Sequence, residues 1–180
     1  MAVLAARRGR HRLVARAERR VRRPPDAGRA DVIRDATGSR GTVLQGGRQK
    51  AYRPLPADER RRAFEAGLAA YERGDFFEAH EILEPAWMGT DDIAERDLYQ
   101  GLIKLAAAYV HGVRGNPAGI ARNLVGARER LAAAVGTGAE ASSGVDVAAL
   151  VASIDDRLAR LAADPSDGSV EAPALPRRAG

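Results

Sequence analysis

Residues 74–87, GDFFEAHEILEPAW, place one histidine and two glutamates where they could act on a metal ion together. His80, Glu81 and Glu84 spell HExxE, which shares its first half with the HExxH signature of zinc enzymes. In that signature two histidines one helical turn apart ligate the ion and the glutamate serves as general base. Glu84 stands in place of the second histidine, so His80 and Glu84 are candidate ligands for a divalent metal. Glu81 is the candidate catalytic base. Further ligands must come from another element.

The elements explain why this triplet is odd. At about 100° per residue, Phe76, Phe77, His80, Leu83, Glu84 and Trp87 share one side of a helix. Buried without partners, polar groups there cost on the order of 1–3 kcal/mol each. Another side chain, a metal ion, a ligand or a water-filled cleft must meet them. The bland reading is a core histidine bonded to Glu84, with Trp87, the only tryptophan, packed over the pair.

A facing helix, IAERDLYQGLIKLAAAYVHGV, carries a stripe of Asp97, Gln100, Lys104, Ala107, Ala108 and His111. Packed against the His80 face, this stripe encloses a polar pocket lined by Trp87, Gln100 and Lys104, with His111 as a further metal ligand. Alternatively the stripe faces solvent, because Leu98, Leu102, Leu105, Ala106, Tyr109 and Val113 form an adequate core face opposite it.

Helical periodicity runs from about Leu55 to Asp164, and the expected fold is all-α with five helices and no strand signal. Gly74 and Gly115 hinge two hairpins of weak tetratricopeptide-like similarity. Asp75 suits a helix N-cap, Asn116 another, and Pro117 a first helical position. Pro85 should kink or tighten its helix. A linker over 136–144 leads to the last helix, striped by Leu150, Ile154, Leu158 and Leu161. The expected domain is 55–164, between a disordered Arg-rich leader, 1–54, and a disordered tail, 165–180.

Composition narrows the chemistry. The 180-residue chain has no cysteine, which excludes disulfides, thiolate metal sites and cysteine nucleophiles. The net charge of +5 is uneven: residues 1–56 carry fourteen arginines and one lysine against four acids, leaving the remainder at −6. Nucleic-acid binding would therefore belong to the leader alone. That leader reads as a tail or a misassigned start rather than an organelle transit peptide, since it lacks serine enrichment. No run reaches the roughly 18 apolar residues of a membrane span, and a cytoplasmic protein is expected.

YERGDFFEAHEILEPAW, ERDLYQGLIKLAAAYVHGVRGN and ARNLVGARERL together resemble a bacterial and archaeal family, domain of unknown function 309, over about residues 60–132. The resemblance implies a small all-helical domain and a label of predicted metal-dependent hydrolase. The family positions fall on His80, Glu81, Glu84, Trp87, Gln100 and His111. Pro85 and Lys104 depart from the family pattern; a lysine there would weaken a nearby metal site. Two functions stand side by side. One is a hydrolase with a divalent metal on His80, Glu84 and His111. The other is a non-catalytic helical scaffold, binding a protein partner or another copy of itself, in which His80, Glu84 and Gln100 form an internal hydrogen-bond network.

Overall fold

The computed structural model describes residues 54–178, together with the backbone of three short strands ahead of them. Strands β1 (Val32–Ile33), β2 (Thr42–Gln45) and β3 (Arg48–Ala51) pair antiparallel in that order. The rest of the Arg-rich leader, with its expected disorder and nucleic-acid binding, lies outside the described residues.

The domain is an all-helical bundle, as its periodicity predicts. Helix α1 spans Ala57–Glu72, opens with Asp58 and Glu59 in its first turn, and buries Phe64, Leu68 and Tyr71. Gly74, at φ +83°, turns the chain back, and Gly115, at φ +66°, does the same one hairpin later. Helix α2 spans Phe76–Gly89. Asp75 occupies its N-cap position without capping: its carboxylate takes Arg73 Nε at 3.3 Å instead. The helix runs through Pro85, which faces solvent, so the Glu81 carbonyl that loses its helical donor borders water.

Helix α3, Ile93–Val113, is capped by Asp92, whose Oδ1 accepts from Glu95 N at 2.8 Å. Helix α4, Pro117–Ala134, has Asn116 as cap and proline at its first position. Helix α1 packs on α2, α2 on α3, α3 on α4, and α4 on the last helix, α6 (Val147–Ala163). Small residues allow two of these contacts. A Cβ on Gly67 would lie 2.6 Å from Leu83 Cγ, and one on Gly101 would lie 2.6 Å from Leu131 Cγ.

Two expectations are overturned. The stretch over 136–144 is more than a linker, because it folds helix α5, Gly138–Ser143. Thr137 caps that helix, and the buried Glu140 carboxylate takes Gly136 N at 2.6 Å and Val147 N at 3.1 Å. A threonine followed three residues later by a glutamate is the capping-box pattern, with the acid here reaching one residue further back. Nor is the tail structureless. After a turn at residues 165–166, the chain to residue 178 has no helix and lies along the bundle, burying Leu175 and donating the Arg178 amide to Gly144 O at 3.1 Å. The tail has no helical period, but its carbonyls and one aliphatic side chain find partners on α1 and α6.

Gly101→Ala should destabilise the domain by roughly 1–3 kcal/mol, since Leu131 Cγ and its backbone nitrogen, 3.1 Å from the added Cβ, must both give way. Gly138→Ala meets nothing within 4 Å, and urea unfolding should show no loss there.

Candidate functional site

The inner face of α2 is set by Ala79, Leu83, Ala86 and Trp87, all buried. Leu83 fits the hollow at Gly67 on α1, while Phe76 meets Tyr109 on α3 at 5.3 Å between ring centroids. With those contacts fixed, His80 and Glu84 fall on the border of the face instead of its middle. The His80 side chain is 27% exposed and that of Glu81 54% exposed. This answers the desolvation problem in part, because the edge of a helix contact leaves polar atoms within reach of water.

His80, Glu81 and Glu84 nevertheless stand together. One ligand atom from each lies within 4.8 Å of the others. His80 Nδ1 is 3.0 Å from Glu81 Oε1, so the exposed carboxylate orients the imidazole and leaves Nε2 as the second ring nitrogen.

Neither Asp97 nor His111 of the α3 stripe belongs to this group among the described residues. Phe76 against Tyr109 and Trp87 near Arg96 show α2 and α3 to be antiparallel, which sets Gln100 about level with Glu84 and Lys104 about level with His80. The stripe is turned towards α4. Asp97 accepts from Arg130 Nη1 at 2.8 Å. Lys104 lies along Gly126, where a Cβ would come 3.0 Å from its Nζ. Burial pushes its ammonium pKa below the ordinary range; Arg130 adds to the shift and Glu129 opposes it.

His111 is committed elsewhere, at the α3–α4 turn. Asn116 Oδ1 caps Gly119 N at 2.9 Å, so Asn116 Nδ2 is the group that donates to His111 Nδ1, at 3.3 Å. Its ring also covers Gly119 at a distance that leaves no room for a Cβ. His111 therefore does not join His80 and Glu84, and Lys104 lies against α4. The reason is that α3 spends its small and polar residues on approaching α4. Gln100 remains half-buried on α3.

Trp87 is an interior residue, 1% exposed, and its Nε1 has no acceptor among the described residues. The buried Arg96 guanidinium lies 5.8 Å from the centre of its ring. Arg96 has the helical spacing from Tyr99 and Ile103 that places it on the same inward side of α3, a signal its charge masks in the sequence.

Asp97→Ala strands a largely buried Arg130 and should cost roughly 1–3 kcal/mol in thermal or urea unfolding. Glu81→Ala removes one partner of a pair at the edge and should change stability by less than about 0.5 kcal/mol.

Neither a search of curated proteins nor one of solved structures returns a match to this chain. Residues 64–123, from Phe64 in α1 to Asn123 in α4, match the family model described as Domain of unknown function (DUF309), which establishes the chain's resemblance to that family across the segment holding the His80 group.

Proposed function

We propose that His80 and Glu84 hold a divalent cation at the solvent edge of the bundle, with Glu81 orienting the imidazole, and that the domain uses it for hydrolysis. The observation that supports this is the convergence of three ligand atoms within 4.8 Å on one and a third turns of helix. One imidazole nitrogen and carboxylate oxygens suit a divalent transition metal, and the exposed side leaves coordination positions open. Such an ion supplies an acidified water and polarises a carbonyl or phosphoryl group. The chain's own contribution is narrower. Glu81 fixes which nitrogen of His80 faces outward, Leu83 and Trp87 anchor the helix, and the open edge admits substrate from solvent. Glu81 is thus a positioning residue in this reading, in place of the expected general base.

A second reading rests on a different observation. Phe77 and Val113 are exposed and line one cleft of about 510 Å³ between the ends of α2 and α3. Adjacent exposed apolar side chains suit a scaffold that binds a protein partner.

Calorimetric titration of the full chain with Zn²⁺ and Mn²⁺ separates the two. The metal reading expects one site, lost in His80→Ala and Glu84→Ala, weakened about 10–100-fold in Glu81→Gln, and unchanged in His111→Ala. Absence of binding in the parent chain refutes it and leaves the scaffold.

A further inference from the structure

The first turn of α2 and the last turn of α3 are the two lips of the cleft of about 510 Å³. Phe77 on the first lip is 62% exposed, and Val113 on the second is 72% exposed. Phe76, which shares the cleft, is held inward by Tyr71 and Tyr109, each at 5.3 Å between ring centroids. Two apolar side chains thus stand in water at adjoining helix ends, where the hydrophobic effect favours a cover.

The charges around this apolar centre do not balance within either lip. On the α2 side, Asp75 Oδ2 and Glu78 Oε2 share the single guanidinium of Arg73, at 3.3 and 3.2 Å. One negative charge is left over there. On the α3 side, Arg114 is exposed and forms no ion pair among the described residues, the two acids across the cleft included. A surplus carboxylate and a surplus cation therefore flank Phe77 and Val113 on opposite lips. Such a surface is complementary to itself. A two-fold rotation about the cleft sets each Arg114 against the acids of the other copy and brings the apolar centres together. An apolar middle inside a charged rim is the ordinary anatomy of a protein contact. A small anion or a small cation would suit one lip and be repelled by the other.

We propose that this cleft is the contact surface of a homodimer, in which Phe77 and Val113 of two copies pack together and Arg114 of each pairs with Glu78 of the other. The proposal rests on the scaffold reading of the cleft and names its partner as a second copy of this chain. Arg73 keeps Asp75 when Glu78 turns to the other copy, so the new pairing strands no charge.

Sedimentation velocity of the full chain tests this. The parent chain should sediment as a dimer at micromolar concentration. Arg114→Glu and Glu78→Arg should each weaken association at least about tenfold, because like charges then face each other twice per dimer. Both side chains are exposed, and circular dichroism should show both variants folded. The decisive arm mixes the two variants in equal amounts. One copy then carries negative charge at both lips and the other positive charge at both, so a dimer returns that neither variant forms alone. A variant that had merely unfolded could not be rescued in this way. A mixture that stays monomeric overturns the proposal, and so does a dimer indifferent to both substitutions, since association then runs through another surface. A monomeric parent chain also overturns it, while leaving the scaffold reading, which asks only for some protein at the cleft.

Discussion

Helix α3 is packed from both sides, and α4 approaches it closely at Gly101. Leu131 occupies the space where any other residue would carry a Cβ, so the two helices meet at a distance that only glycine permits. Once α4 is that near, Asp97, Lys104 and His111 lie within reach of Arg130, Gly126 and Asn116. The polar stripe of α3 becomes part of a helix interface, and what looks on a wheel like one wall of an active site is used to seat a neighbour.

The opposite side of α3 then has to receive α2 through apolar groups. Phe76 takes Tyr109, and Trp87 lies beside Arg96. Leu83 is pinned in the hollow of Gly67, which fixes the rotation of α2 about its axis. That rotation carries His80 and Glu84 to the rim. Their position at the edge is a consequence of two glycine-permitted contacts, made one helix away on either side.

Periodicity and chain stops were enough to place five of the six helices of the described residues. Asn116 and Pro117 announce α4. The HExxE spacing put His80 and Glu84 one turn apart on one side of α2, whereas the contact between His80 and Glu81, its neighbour in sequence, is not a consequence of that spacing. Which helix a polar stripe faces is a different kind of information. It depends on Gly101 and Gly126, whose missing side chains say nothing about direction until the partner helix is known. The buried arginine of α6 was within reach of the sequence: Leu150, Ile154, Arg157 and Leu161 keep the stripe spacing, and Leu158 drew attention from it. The segment after α6 that takes the Arg157 guanidinium on Asp167 and two carbonyls leaves no periodic trace, since carbonyl acceptors are common to every sequence. The Thr137–Glu140 capping pattern was likewise present in a stretch that its glycines made look like a linker.

The two candidate histidines of the helical domain stand in separate environments, His80 at an open ligand cluster and His111 closed by the α3–α4 turn. Long-range ¹H–¹⁵N correlation of the imidazole nitrogens during a Zn²⁺ titration observes this directly. The expected result is that His80 responds at Nε2 with Nδ1 retaining its proton, while both His111 nitrogens stay as they were. A concerted response of His80 and His111 would contradict the account, because it would mean that the polar faces of α2 and α3 share one pocket.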